Sequence, residues 1–318
     1  MGMLKRGLLV GLKTTWMLGK IIFPITLIVT ILGYTPVLQW IAGILAPLMS
    51  WIGLPGEAAI PLVLGNALNL YAAIGAILTL ELTVKEVFIL AVMLSFSHAI
   101  ILESAVAHKV GIRIWVVLVV RCGLAIVSAL LINWLWDGGQ EIAQYGFVSN
   151  SGNEVIEGWL AIAWQGVMSA SLGIIQLAII VIPLMMFIQI MKEKNWLAFL
   201  SKAMRPLTKM LGIKENTSTT LASGLFFGLS FGAGVMIQAV KEDGVKKKDL
   251  YLAFIFLVAC HAVVEDTLIF IPLGIPILPL LIIRVVTAIL LTVAIAYVWR
   301  RVEKKQQLEE GKEASYEH

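Results

Sequence analysis

Apolar runs long enough to cross a lipid bilayer dominate the sequence, at Trp16 to Leu32, Val87 to Ala107, Trp115 to Trp136, Trp159 to Met191, Tyr251 to Pro272 and Pro279 to Trp299. A hydrocarbon core about 30 Å thick is spanned by about 20 helical residues, and a helix satisfies its own backbone hydrogen bonds there. With 59% hydrophobic residues, 14% charged residues and a mean hydropathy of +0.93, the 318-residue chain has too few charges to cover a soluble surface. The runs therefore predict an all-α polytopic integral membrane protein.

Several function classes fall away on the same grounds. The formal net charge of +4 sits in a few loops with no aromatic-interleaved basic face, so no nucleic acid partner is expected. Cys122 and Cys260 both lie in apolar runs, which argues against a disulfide framework or a cysteine zinc site. No Ser/His/Asp or Cys/His spacing is present, and an enzyme is not expected. Lys13 interrupts the first apolar stretch and no small-residue cleavage site follows, so no removed leader is expected.

The chain also repeats itself. Adding 159 to Pro24, Pro47, Gly53, Gly65 and Gly75 reaches Pro183, Pro206, Gly212, Gly224 and Gly234. Further on the offset is 163, taking His98, Gly111, Ile112, Arg121 and Ala125 to His261, Gly274, Ile275, Arg284 and Ala288. Apolar residues align by chance, whereas matched Pro, Gly, His and Arg at two constant offsets indicate duplication. The expected organisation is a first repeat over 1–136, an extracytoplasmic linker over 137–158, a second repeat over 159–299 and a charged cytoplasmic tail over 300–318.

Each repeat predicts three spanning helices, an interfacial helix and a re-entrant hairpin. Pro36 to Ile52, broken at Pro47, and the stretch from Trp196 to Leu211, with Lys202, Arg205 and Lys209 off its apolar face, suit the membrane surface. Pro55 to Leu80 carries Gly65, Asn66, Asn69 and Gly75, awkward in a lipid-facing helix, and reads as a buried hairpin. Its counterpart, Ser218 to Ala239, has Gly224, Gly228 and Gly232 at the spacing of close helix contact, with Ser223 and Ser230 as weaker polar candidates. The start of the Trp159 to Met191 run is expected to tilt or lie along the surface, since the run exceeds one span. Under the positive-inside rule, Lys5, Arg6 and Lys13, the Lys109 to Arg113 loop, Lys192 to Lys214, Lys241 to Lys248 and Arg300 to Lys305 are cytoplasmic. The counterparts without bases, Tyr34 to Gly56, Asp137 to Glu157 and Gly274 to Pro276, lie outside. Both termini are then cytoplasmic, each half crosses three times, and the halves are inverted.

Two duplicated stretches carry the chemistry, Ser97-His98-Ala99-Ile100-Ile101-Leu102-Glu103-Ser104 and Cys260-His261-Ala262-Val263-Val264-Glu265-Asp266-Thr267. Each places an imidazole and a carboxylate near mid-bilayer, where an ionisable group marks a functional site. The candidate substrate-binding residues are His98, Glu103, His261, Glu265, Asp266, Asn66, Asn69, Arg121 and Arg284. By helical period Glu265 shares the face of His261, while Glu103 and Asp266, five residues after their histidines, fall about 140° round. A metal set would therefore be His98, His261 and Glu265. Arg121 and Arg284 can snorkel to headgroups, but Arg284, toward the outer face, is expected to pair with Glu265 or Asp266 or an anionic substrate. Glu57 reads as a helix cap, and Asn66 and Asn69 suit either a nucleobase or ribose or the broken backbone around them.

The Gly-Leu-Pro-Gly-Glu57 stretch leading into the hairpin, the Gly/Asn-rich hairpin and the His-Ala helix with its following acid resemble the nucleoside-recognition or Gate domain. That unit occurs in the membrane part of ferrous-iron permeases and in spore-maturation membrane proteins, and here nearly the whole membrane region is similar to two such units. The resemblance implies a prokaryotic plasma-membrane protein handling a nucleoside-like solute. No Gly-x-x-x-x-Gly-Lys-Ser/Thr motif is present, so it does not imply nucleotide-powered transport.

Three readings remain: a small-solute transporter with a midplane site, a divalent-metal permease for Fe2+ or Zn2+, and a non-transporting scaffold. A wet centre with unpaired polar groups favours the first, compact ligands around one ion the second, and a dry, fully paired centre the third. A coupling ion (H+ or Na+) or a divalent metal is the only cofactor suggested. The expected partners are the lipid bilayer and a small-molecule or ion substrate, with a homo-oligomer left open.

Overall fold

The computed structural model describes residues 2–146, 158–229, 234–235 and 245–316, with side chains as far as Leu308. Ser230, Gly232 and residues 241–244 of the basic loop lie outside the described residues. So do residues 147–157 of the linker. Among the described residues the chain is all-helical apart from one isolated bridge. Five helical stretches are long and apolar enough to cross a membrane: Met3–Gly33, Val84–Lys109, Ile114–Leu135, Trp159–Glu193 and Ile277–Leu308. A sixth is added if Pro36–Trp51 and Gly56–Ala67, bent by 90°, count as one span; that pair also suits a re-entrant loop.

Helix α1 (Met3–Gly33) and α8 (Trp159–Glu193) pack along each other. Gly7 meets Met186, Gly11 meets Ile182 and Leu27 meets Gly166, so they run antiparallel. Small residues let the backbones approach, which is how helices associate when lipid removes the hydrophobic drive. Trp159–Glu193 is one continuous helix, about 52 Å at 1.5 Å per residue, longer than an upright span needs.

Helix α2 (Pro36–Trp51) turns through Gly56–Ala58 into α3 (Ala59–Ala67), and α4 (Leu70–Ile77) follows. Gly56 is pressed so close to Ala42 that a Cβ there would lie 1.9 Å from its carbonyl oxygen. The hairpin breaks between α3 and α4, where Asn69 caps α4 by accepting from Ala72 N–H at 3.0 Å. In the second half α9 (Trp196–Leu211) is the amphipathic helix, and α10 (Ser218–Phe227) stops at Gly228 with φ +85°. Gly228 is thus a helix stop and not a contact glycine. Only Gly224 of the expected series makes a described close contact, against Leu257.

The inner layer is α5 (Val84–Ser97) with α11 (Lys247–Ala259); every residue from Val87 to Ser97 and from Asp249 to Ala259 is buried. A Thr83/Glu86 capping box starts α5. Both inner spans are interrupted, which departs from the continuous helices expected at 87–107 and 251–272. After α5 the chain resumes as α6 (Ile100–Lys109), and after α11 as the short α12 (Glu265–Leu268). Helices α7 (Ile114–Leu135) and α13 (Ile277–Tyr316) flank the inner pair.

Contacts divide the bundle into two ends. At one, Arg6 pairs with Glu193 at 2.6 Å, Lys248 with Glu303 at 2.6 Å, and the Arg113 N–H donates to Tyr251 Oη at 3.3 Å. At the other, the segment after α7 straps the start of α5. Val84 N–H donates to Glu141 O and Ala143 N–H to Leu82 O, each at 2.9 Å. Gln144 of the strap also abuts Gly274.

Candidate functional site

The centre is built by one local device used twice. His98 ends α5, and the next residue, Ala99, takes a left-handed conformation (φ 48°); His261 follows the end of α11, and Ala262 does the same (φ 40°). Such a conformation costs an alanine about 1–2 kcal/mol, so the surroundings must hold it. The hairpins do so: Ala99 N–H donates to Gly65 O at 2.8 Å and Ala262 N–H to Gly224 O at 3.1 Å. Glycine lets these carbonyls approach without displacing a neighbour, since a Cβ on Gly65 would lie 2.4 Å from Leu94 Cδ2 and 2.9 Å from Ala73 Cβ, and one on Gly224 2.5 Å from Leu257 Cδ1.

Each break frees a carbonyl for a buried guanidinium. Arg121 Nη2 donates to His98 O, and Arg284 Nη2 to His261 O at 2.8 Å. Arg121 also pairs with Glu103, and Arg284 Nη2 with Asp266 Oδ2 at 3.1 Å. Arg284 Nη1 reaches Thr267 Oγ1 at 3.2 Å. Neither arginine snorkels, since both are wholly buried. Arg121 Nε, Arg284 Nε and Ser104 Oγ find no partner among the described residues.

The four remaining groups converge. His261 Nε2 lies 3.0 Å from Glu103 Oε1 and 3.6 Å from Asp266 Oδ2; His98 Nε2 lies 3.5 Å and 4.0 Å from the same atoms. The rings are 5.2 Å apart and tilted by 42°. Each Nδ1 faces a carbonyl four residues back, Leu94 O at 2.7 Å and Leu257 O at 2.9 Å. A carbonyl only accepts, so each Nδ1 carries the proton, and in the neutral ring Nε2 presents a lone pair to the centre.

The metal set expected from helical period is corrected here. Glu265 leaves the centre and accepts from Tyr71 Oη at 2.8 Å, while Asp266 takes the inward place, with ligand atoms of His98, His261 and Asp266 within 4.8 Å of one another. The break resets the angle, so the acids five residues after each histidine turn inward. Asn66 donates to Leu62 O at 2.7 Å and Asn69 caps α4, so both serve hairpin backbone. Glu57 opens the turn of Gly56–Ala58 without capping it through its side chain, and Ser223 donates to Thr220 O at 2.9 Å. Sequence reasoning missed Tyr71, whose hydroxyl ties one half to the other, and the carbonyls of Leu94 and Leu257, which no side chain advertises.

Two clefts lined by α7 and α13 are also related by the repeat offset. One, about 630 Å3, is lined by Phe88, Ile132, Trp136, Pro276, Pro279 and Ile283 among others. The other, about 440 Å3, includes Tyr251, Ile295, Trp299, Arg113, Val116 and Val120. Adding 163 to the first three residues of one, and subtracting it from the next three, gives the other. The end of α7 therefore meets the start of α13 in one cleft, and the start of α7 meets the later part of α13 in the other.

Residues 15–113 and 174–289, which include both histidines and both inward acids of this centre, match the family model of Gate, described as nucleoside recognition. The chain belongs to the Gate family. It is a multi-pass membrane protein, similar to the uncharacterized membrane protein YvoD of Bacillus subtilis (strain 168), with 60% identity over 295 residues covering 93% of this chain and 94% of that one. No solved structure matches significantly. Each Gate segment contains one His and one inward acid of the centre; Arg284 lies in the second segment, whereas Arg121 lies just past the end of the first.

Proposed function

We propose that this Gate protein is a plasma-membrane permease, not an enzyme, carrying a small polar, nucleoside-like solute through a midplane centre between two inverted repeats. The observation that carries the reading is that both halves supply the centre and cross over in it, His261 of the second lying nearest Glu103 of the first. Relative movement of the halves must open this contact, which is what alternating access requires. The unpartnered Arg121 Nε, Arg284 Nε and Ser104 Oγ and the inward lone pairs of both histidines make the centre polar and only partly satisfied, as suits a guest.

Inversion is supported by the exchanged clefts of α7 and α13. The contact-defined ends support three crossings per half. One end gathers Arg6, Arg113, Lys248 and Arg205, and the strapped end carries Asp137 and Glu141 with Lys85 beside them, so the more basic end and both termini are cytoplasmic. The repeats are 1–136 and 159–299, joined by 137–158 and followed by the tail 300–318. Each repeat places an interfacial helix, α2 or α9, before its hairpin.

The test is uptake into proteoliposomes across a panel of nucleosides and other small polar solutes, with wild type beside His98→Ala, His261→Ala and Arg284→Gln. Saturable uptake lost in all three supports the reading. No uptake of any solute, or uptake indifferent to the variants, rejects it.

A further inference from the structure

The centre contains an acceptor problem that its arginines solve only in part. Both Nδ1 atoms are committed as donors to Leu94 O and Leu257 O, so two imidazole lone pairs and two carboxylate oxygens face one another in a buried space. Of these four acceptors Asp266 Oδ2 has a donor in Arg284 Nη2 at 3.1 Å, while the two imidazole lone pairs and Glu103 Oε1 face one another without one, and burial removes the water that would relieve them. Protonating one imidazole supplies a single donor. A cation among the four atoms satisfies all of them together.

The dimensions indicate which cation. Ligands held tetrahedrally at about 2.0–2.1 Å from an ion are about 3.3–3.4 Å from one another. Four of the six edges are imidazole-to-carboxylate separations, and at 3.0, 3.5, 3.6 and 4.0 Å they bracket that length; the ligand atoms of His98, His261 and Asp266 lie within 4.8 Å of one another, and Glu103 Oε1 adjoins both imidazoles as the fourth ligand. Two imidazole nitrogens with two carboxylate oxygens suit a borderline transition ion and are poor for Ca2+ or Mg2+, which take oxygen sets. The Nδ1–H to carbonyl bonds are the outer contacts that fix the tautomer and aim of a metal-binding imidazole.

We propose that His98, His261, Glu103 and Asp266 form a binding site for one divalent transition-metal cation of the zinc class, assembled only when the two halves meet. The proposal takes the location of the centre from the permease reading but does not depend on transport. Arg121 and Arg284 already neutralise the two carboxylates, so the ion enters a site of no net charge and is held exchangeably, as a cargo or coupling ion is and a structural zinc is not.

The probe is Co2+, added to metal-stripped full-length protein in detergent, followed by its visible absorption and displaced by Zn2+. The expected result is one Co2+ per chain with the intense bands of a tetrahedral site, released by Zn2+. His98→Ala and His261→Ala should each weaken binding at least tenfold, while His108→Ala, on an exposed histidine outside the centre, leaves it unchanged. Zn2+ should raise the Tm of wild type and of His108→Ala but not of the two centre variants. Because that shift is read within each protein, a destabilised variant still reports. Absence of Co2+ and Zn2+ binding, binding untouched by His261→Ala, or octahedral spectra overturn the proposal. Metal binding without solute uptake keeps this site and removes the permease, and solute uptake by protein that binds no metal does the reverse.

Discussion

His261 Nε2 lies 3.0 Å from Glu103 Oε1, nearer than the 3.6 Å to Asp266 in its own half. The two Gate units are thus joined at the centre by polar contacts as well as by apolar packing. Each carboxylate serves two masters, an arginine on its own half and an imidazole at the seam. The cost of removing one charge therefore depends on which partner is left behind.

Glu103→Gln should destabilise the protein by about 3–5 kcal/mol, because Arg121 then remains buried without its counter-charge. Glu103→Leu combined with Arg121→Met should recover most of that loss, since both charges go together. Thermal unfolding in detergent decides it. A double variant no more stable than Glu103→Gln would show that the carboxylate contributes mainly through the histidines.

Gly65→Ala should cost about 1–3 kcal/mol, because the new Cβ meets Leu94 Cδ2 at 2.4 Å and Ala73 Cβ at 2.9 Å. Leu94→Ala in the same chain should restore part of it, so the two changes will be non-additive. Unfolding midpoints of the two single variants and the double measure the coupling. Strict additivity would mean that α3 moves aside without disturbing Ala99.

Ala99→Gly should be neutral within about 1 kcal/mol, relief of the left-handed strain offsetting glycine's greater freedom when unfolded. Ala99→Val places a branched side chain at φ 48° in a buried position and should destabilise far more. Comparing the two by thermal unfolding separates backbone strain from loss of a methyl group.

Ala99 also explains how much of the centre was legible. Five of the six expected spans, the duplication and the residue types at the centre could be read because bilayer thickness, matched Pro and Gly, and charges in apolar runs all leave marks on composition; the sixth, Tyr251 to Pro272, breaks into shorter helices. The interruption of α5 and α11 leaves none, since Ser97-His98-Ala99 contains neither Pro nor Gly and the break is held from outside by Gly65 O. Uninterrupted helical period set Glu265 beside His261; the break turned Asp266 and Glu103 inward and sent Glu265 to Tyr71. Gly228 misled similarly, its spacing suggesting helix contact where its positive φ ends α10.

The two-ended bundle makes a labelling prediction. In a background with the exposed Cys122 changed to Ala, Glu141→Cys should react with an impermeant maleimide on intact cells. Lys202→Cys on α9 should react only after permeabilisation. The reverse pattern would invert the assignment of sides while keeping the repeat. Reaction of both from outside would break the count of three crossings per half.

The exchanged clefts make the sharpest test of movement between the halves. Ile283, beside Arg284, lines the cleft of Phe88 and Trp136, and Val120, beside Arg121, lines that of Tyr251 and Trp299. These positions are equivalent at the 163-residue offset and sit in clefts formed by opposite ends of α7. If one half takes up the conformation of the other during transport, one cleft must close as its counterpart opens. Ile283→Cys and Val120→Cys, each alone in the Cys122→Ala background, should therefore change labelling rate in opposite directions when the centre binds its guest, by about tenfold for a conformational coupling of about 1.4 kcal/mol. Rates moving in the same direction would indicate general tightening, and unchanged rates a rigid scaffold. Only opposed changes fit an exchange of roles between the halves, because only that motion makes the two clefts alternatives to one another.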